Sequence, residues 1–305
     1  MIRKVSLIGT GAIGASFASR LHEMDSACLS IIVDEARRDR YERNGFVING
    51  KHVDFNFVLP TDKVDPADLI LVAVKYHDLD QAIESMKNHV GPNTIILPLL
   101  NGISSEEIIG KVYGMDRLLY AICVAIDALR IENQVTYTNI GKIFFGEANN
   151  SVYSEKVEAV KAFFERMEIP YLIPENMLRS LWWKFMVNVG INQISAIMGA
   201  PYRIFQEVKE AQELMESTMR EVIVLSKKIG INLEEEDIGE FYKALETLSP
   251  EGKTSMHQDV EAKRKTEVEM LAGTVCDLGK KYGVDTPINE ALFKMLRTME
   301  QMYRS

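Results

Sequence analysis

The sequence predicts an α/β domain built on a parallel sheet, followed by an all-helical domain. Short runs that are apolar on both faces alternate with helical patterns through residues 1–174, the texture of strands covered by helices on both sides. Beyond Pro174 strand-like runs stop, and helical periodicity continues through residues 175–305. A glycine turn follows the first strand-like run, at the start of the alternation.

VSLIG at 5–9 reads as a buried strand, ASFASRLHEM at 15–24 as a helix and LSIIVD at 29–34 as the next strand. DLILVAV (68–74) and NTIILPL (93–99) are strand patterns on either side of a helical QAIESMKNHV (81–90). LLYAICVAI (118–126), QVTYT (134–138) and KIFFG (142–146) are further strand candidates. A helix at 154–167 and a last strand, PYLIP at 170–174, close this half. In the second half, turns are expected at Gly199–Pro201, Lys228–Gly230, Ser249–Gly252 and Gly283–Pro287. The acidic run Glu234, Glu235, Glu236 and Asp237 reads as a solvated helix start.

A chain of 305 residues has room for two ordinary domains. A net charge of −9 argues against a general nucleic-acid binder, which needs a basic surface. The apolar runs, such as LILVAV at 69–74, are too short to cross a bilayer, and the opening MIRKVSLIGTG lacks a signal-peptide pattern. A cytoplasmic protein without membrane contacts is expected. Cys28, Cys123 and Cys276 are widely spaced and form no CxxC pair, and five scattered histidines show no ligand spacing. Neither disulfides nor a metal site is expected.

Gly9, Thr10, Gly11, Ala12, Ile13 and Gly14 form a GxGxxG between a strand and a helix. In that context the first glycine permits the tight turn, the second lets backbone approach a pyrophosphate, and the third allows close helix–strand packing. A Rossmann-type dinucleotide-binding domain follows, against the plainer reading of a tight turn. Asp34 ends the second strand run, where an acid accepts hydrogen bonds from a ribose hydroxyl and favours NAD. Arg37 and Arg38 follow within a turn and offer a grip for a 2′-phosphate. The residues leave NAD and NADP open.

The stretch LWWKFMVNVGIN at 181–192 is one of the most apolar in the chain, yet it carries Lys184, Asn188 and Asn192 at intervals of four. On a helix these share one face over about 12 Å. Buried polar groups need partners. Either the amides serve a helical core while Lys184 reaches solvent, or the stripe lines a cleft whose occupant is a ligand. A partly buried lysine is a usable proton donor. Beside a bound nicotinamide, it would supply the proton for carbonyl reduction.

With these residues in hand the chain resembles the ketopantoate reductases (2-dehydropantoate 2-reductases) along its whole length. The matching pieces are GTGAIG at 9–14, VAVK ending at Lys75, LLNG at 99–102, LWWKFMVNVGIN, TSMHQD at 254–259, KTEVEMLAG at 265–273 and GVDTPIN at 283–289. The resemblance implies a Rossmann-type domain and a helical domain, with NADPH reducing 2-dehydropantoate to pantoate in pantothenate and coenzyme A synthesis. It implies Lys184 as proton donor and Asn188, Asn192 and Ser255 as substrate contacts. Asn101 would lie at the junction of cofactor and substrate, and Lys75 near the nicotinamide ribose. Glu267 would contact the cofactor and orient the lysine.

Plainer readings remain for several of these positions. Ser255 fits a helix N-cap with Gln258 three residues later. Glu267 fits a first-turn acid, Asn101–Gly102 a turn, Lys75 a loop cation, and Lys263–Arg264–Lys265 a solvated loop. The sequence also departs from the family: Asp34 stands where an arginine is often found, and Tyr76-His77-Asp78 replaces a tyrosine–glutamine pair after Lys75. NADP is therefore the cofactor by resemblance and NAD the one favoured by Asp34. The alternatives are reduction of another small 2-oxo acid and a nucleotide-sensing protein without turnover. A helical carboxyl-terminal domain offers surfaces for a homodimer, though no motif specifies one.

Overall fold

In a computed structural model, which describes residues 1–303, the chain opens with β1 (Val5–Ile8), α1 (Ala12–Asp25), β2 (Leu29–Ile32) and α2 (Glu35–Asn44). Three two-residue strands follow, β3 (Val47–Ile48), β4 (Lys51–His52) and β5 (Phe57–Val58). Next come β6 (Leu69–Val72), α3 (Leu79–Ser85), β7 (Ile95–Pro98), α4 (Ser105–Tyr113) and β8 (Tyr120–Val124). A hairpin of β9 (Leu129–Ile131) and β10 (Gln134–Thr136), then β11 (Lys142–Gly146), α5 (Glu155–Arg166) and β12 (Tyr171–Leu172), complete the first unit, Met1–Leu178.

Five strands in the order β5-β2-β1-β6-β7, all parallel, make the main sheet. Alternation along each strand explains why it is covered on both faces. Val5, Leu7, Leu29, Ile31, Leu69, Leu71, Ile95 and Leu97 join Phe17 and Leu21 of α1 and Val160 and Phe164 of α5 in one core. Their neighbours Ile8, Ile32, Ile70, Val72 and Ile96 join Leu79 and Ile83 of α3 and Ile109 of α4 in another. Period-two alternation thus sends successive apolar residues to opposite layers, each fully buried side chain contributing about 1.5–3 kcal/mol. Because β1 has β2 on one side and β6 on the other, chain direction across the sheet reverses beside it. That switch point, at the carboxyl edge, is where open α/β sheets hold ligands. Two smaller sheets, β4-β3-β10-β9 and β12-β11-β8, flank this framework.

The regular elements of the second unit, Arg179–Ser305, are all helices among its described residues. It comprises α6 (Met177–Met198, begun in the first unit), α7 (Tyr202–Glu207), α8 (Lys209–Lys228), α9 (Glu236–Leu245), α10 (Ser255–Glu261), α11 (Thr274–Tyr282) and α12 (Pro287–Met302). A π-helical turn, Glu269–Gly273, runs directly into α11. The turns fall where glycine and proline predicted them: Gly283 closes α11 in the left-handed region (φ 67°), and Pro287 opens α12. No helix among the described residues is long and apolar enough to cross a membrane.

Asp237 departs from the expected solvated helix start. It is buried, accepts both oxygens' worth of hydrogen bonds from Arg179 Nη2 (3.0 and 2.7 Å), and also accepts from the Glu234 amide (2.7 Å). Trp183 Nε1 donates to its carbonyl (3.2 Å), so this acid anchors α9 to α6. The other three acids of the run are exposed.

Candidate active site

The cofactor candidates of the first unit all sit just past the carboxyl ends of adjacent parallel strands. Gly9–Gly14 follows β1, Asp34 follows β2, Lys75 follows β6 and Asn101 follows β7. Parallel pairing is what puts four sequence-distant segments on one edge. The three glycines have separable physical roles there. Gly9 has φ 100°, and a Cβ on it would lie 2.5 Å from the Ala73 carbonyl carbon, so the turn presses against the end of β6. A Cβ on Gly14 would lie 1.9 Å from the Gly9 oxygen, which ties α1 to the loop. At Gly11 a Cβ would meet only the Ala73 oxygen, at 3.9 Å.

Gly11 is therefore small for no protein neighbour's sake. It is also the N-cap of the fourteen-residue α1, and no side chain caps the helix. The first-turn N–H groups are left for an anion, in the field of the helix dipole. An open approach at Gly11 over uncapped amides fits a dinucleotide's pyrophosphate. Gly11→Val should weaken dinucleotide binding about 10- to 100-fold by filling that approach, with little change in melting temperature. Gly14→Ala should lower both. Fluorescence titration with NADH beside a thermal melt separates the two; undiminished binding by Gly11→Val would remove the cradle.

Asp34 is engaged by its own helix. Its side chain caps α2 by accepting from the Arg37 amide (2.7 Å), and Arg37 Nε lies 3.3 Å from its second oxygen. Arg38 is ringed by Glu35, Asp39 and Glu42 at 3.7–3.9 Å. Each arginine that might take a 2′-phosphate is thus matched by carboxylates. Lys75 and Asn101 are half-buried, and Gly102 supplies a positive φ of 90° for the turn behind Asn101.

In the second unit the stripe is real helix: Lys184, Asn188 and Asn192 lie on α6. Lys184 is half-buried and Asn192 buried. Asn188 Nδ2 is buried and has no hydrogen-bond partner, an amide donor left without an acceptor in a family of contacts where nearly all are satisfied. Ser255 is the first residue of α10 and exposed. The N-cap reading for it is corrected: Thr254 is the cap, accepting from the His257 amide at 3.2 Å. Thr254 Oγ1 also donates to Ser195 Oγ of α6 (3.2 Å), which brings the start of α10 against α6 one turn beyond Asn192.

Glu267 is buried at the bend before the π-helical turn, and its carbonyl accepts from the Met270 and Leu271 amides. Its place is fixed from α12: Glu300 Oε1 accepts from the Thr266 amide (2.8 Å) and hydroxyl (2.6 Å), and Arg297 joins Glu300 to Glu269 at 2.8 Å. Arg264, from the run read as a solvated loop, pairs with buried Asp259 at 3.0 Å.

The sequence reading missed a cluster around the glycine loop. Thr10 Oγ1 is 2.9 Å from the Tyr41 hydroxyl, and Arg130 donates to the Thr10 carbonyl and, at 3.0 Å, to the Tyr41 hydroxyl. It also missed Glu106, a buried carboxyl in the first turn of α4 whose pKa burial pushes up to about 7. Thr10 itself belongs to the glycine motif, but neither Arg130 nor Glu106 belongs to any motif, and no spacing links Arg130 to residue 10.

Two family models match the chain: "Ketopantoate reductase PanE/ApbA" over residues 5–150 and "Ketopantoate reductase PanE/ApbA C terminal" over residues 176–300. A 2-dehydropantoate 2-reductase of Aquifex aeolicus is 26% identical, with 98% of each chain covered. One from Streptococcus pyogenes serotype M1 is 23% identical, with 97% of each covered. Among solved structures, a D-mandelate dehydrogenase with NADH and anilino(oxo)acetate superposes with a TM-score of 0.87 at 23% identity, covering 99% of this chain and 100% of that one. A ketopantoate reductase from Staphylococcus aureus, described as dimeric, gives 0.80 at 21% identity, covering 98% and 99%.

Proposed function

The chain belongs to the ketopantoate reductase family, a family of oxidoreductases, and we propose that it reduces 2-dehydropantoate to pantoate with a nicotinamide dinucleotide held at the carboxyl edge of the main sheet. The observation that carries this reading is the Asn188 amide, buried on α6 without an acceptor. On the polar stripe, one turn from Lys184, such a donor suits an oxygen of a small polar acid. Reduced nicotinamide, when bound, supplies the hydride to C2 of the 2-oxo acid. Lys184 gives its proton to the carbonyl oxygen as the alkoxide forms, so that one hydride and one proton convert the ketone to the alcohol. Asn188, Asn192 and Ser255 hold the carboxylate and hydroxyl oxygens. Glu267, fixed in place through Thr266 and Glu300, orients the lysine; Lys75 and Asn101 hold the nicotinamide end.

NADH is the cofactor this chain is built to prefer. Asp34 at the end of β2 suits a free ribose hydroxyl and repels a 2′-phosphate, while Arg37 and Arg38 are already matched by carboxylates. A second reading, an aryl 2-oxo acid as substrate, is suggested by the fold neighbour D-mandelate dehydrogenase, whose structure is described with NADH and anilino(oxo)acetate. A homodimer is part of the proposal: exposed Met198, Leu214 and Met295 border an apolar groove among α6, α8 and α12 that suits a second copy.

The deciding experiment follows reduced-nicotinamide absorbance with 2-dehydropantoate or phenylglyoxylate, each with NADH and NADPH. Rapid oxidation of NADH by 2-dehydropantoate, with NADPH at least about tenfold poorer in kcat/KM, is the expected result. Turnover only with phenylglyoxylate moves the assignment to the second reading. Cofactor binding without turnover on any 2-oxo acid leaves a nucleotide sensor.

A further inference from the structure

Arg130 comes from the β9–β10 hairpin and meets the glycine loop across 120 residues of sequence. Its guanidinium is spread over three acceptors on three segments. Nη1 donates to the Thr10 carbonyl, Nη2 to the Tyr41 hydroxyl at 3.0 Å, and Nε to the Glu132 carbonyl at 2.7 Å. Beneath it lie two aromatic faces, Tyr41 at 5.7 Å and Phe46 at 5.4 Å from the guanidinium carbon. Those rings are themselves wedged edge to face, with centroids 5.2 Å apart, and Phe55 packs on Phe46 at 5.5 Å. The cation is therefore set on a rigid floor with its donors already aimed, the arrangement that loses little entropy per bond formed.

The Tyr41 hydroxyl carries the same constraint to the other side of Thr10. It shares a 2.9 Å hydrogen bond with Thr10 Oγ1 and accepts from Arg40 at 3.4 Å as well as from Arg130. These bonds hold its pKa below the ordinary tyrosine value against the opposing effect of burial. Thr10, the only non-glycine residue between Gly9 and Gly11, is thus gripped by its carbonyl and by its side chain. A carbonyl drawn toward a cation on one side leaves the amides of the next residues facing the other way, as an anion-binding loop requires.

We propose that Arg130 is a positioning residue for the dinucleotide: with Tyr41 it clamps Thr10 so that the loop amides are set for the pyrophosphate before the cofactor arrives. This rests on the dinucleotide reading above and adds a residue outside the glycine motif to it. The contribution is geometric as well as electrostatic, because a lysine would keep the charge but not the three-way fork. The β9–β10 hairpin is, by this account, part of the cofactor site.

The test compares NADH affinity by fluorescence titration in the wild type, Arg130→Met, Arg130→Lys and Tyr41→Phe, with amide hydrogen exchange over residues 9–14. Arg130→Met and Arg130→Lys should each weaken NADH binding by about tenfold or more, the loss of charge-assisted hydrogen bonds. Tyr41→Phe, which keeps the aromatic floor, should lose less. In all three, loop amides should exchange faster than in the wild type while β1 and β6 stay protected, and the kinetic loss should fall on KM for NADH rather than on kcat. Full affinity in Arg130→Lys would reduce the residue to a charge and overturn the clamp. Unchanged affinity and exchange in Arg130→Met would overturn it outright. A wild-type chain that binds neither NADH nor NADPH would instead bring down the dinucleotide reading and this inference together.

Discussion

Lys184→Ala is expected to lower kcat for 2-dehydropantoate by about 10²- to 10⁴-fold, the range in which a positioned general acid contributes, while NADH binding stays within about threefold. The expectation follows from the site's division of labour. In the proposed reading the cofactor belongs to the carboxyl edge of the first unit's sheet, whereas Lys184 stands on α6. Removing its ammonium takes away the proton for the forming alkoxide without touching a glycine-loop amide. Lys184→Arg should recover little, because a guanidinium keeps its proton at any working pH. Single-turnover absorbance measurements at saturating NADH isolate the chemical step. Wild-type rates in Lys184→Ala would end the proton-donor assignment, and an equally inert wild type would point to sensing.

How much of this was legible depended on whether a feature lies within a few residues of sequence. β1, β2, β6 and β7 announce themselves because a doubly covered parallel strand is apolar at nearly every position. The Lys184–Asn188–Asn192 stripe is legible for the same reason: helical periodicity alone places the three on one face. β3, β4 and β5, at two residues each, are too short for any periodicity. α4 is only nine residues long and carries Gly110 in its interior, which leaves its Ile108, Ile109 and Val112 face a short signal. Asp237 looked solvated because its neighbours are; its partner Arg179 is 58 residues away. Arg130 escaped for the same cause at twice the distance. Local pattern gives elements and stripes, while the contacts that tune a site are set by which strands happen to be adjacent.

Glu106→Gln should stabilise the protein above neutral pH by about 3 kcal/mol and have no such effect below pH ~4.5. Glu106 is buried, and desolvation is the largest influence on it, raising its pKa from 4.5 to about 7. Its own amide, the Ser105 hydroxyl (2.9 Å) and the Ala121 amide pull the other way, and Glu107 adds to the rise. A first-turn acid on α4 also enjoys the helix dipole, worth ~0.3–1 kcal/mol, too little to offset burial. With the folded pKa above the unfolded one, the folded chain binds the extra proton between pH 4.5 and about 7. Stability from this group is thus complete below 4.5 and lost as pH rises through about 7. The shift of roughly 2.5 units, at 1.36 kcal/mol each, sets the magnitude. Glutamine keeps the shape but cannot ionise, so the offset between the two proteins' urea-unfolding curves should develop across that window and persist above it. Curves offset by the same amount at pH 4 and pH 8 would mean that the carboxyl ionises normally, and that packing rather than charge distinguishes the two side chains.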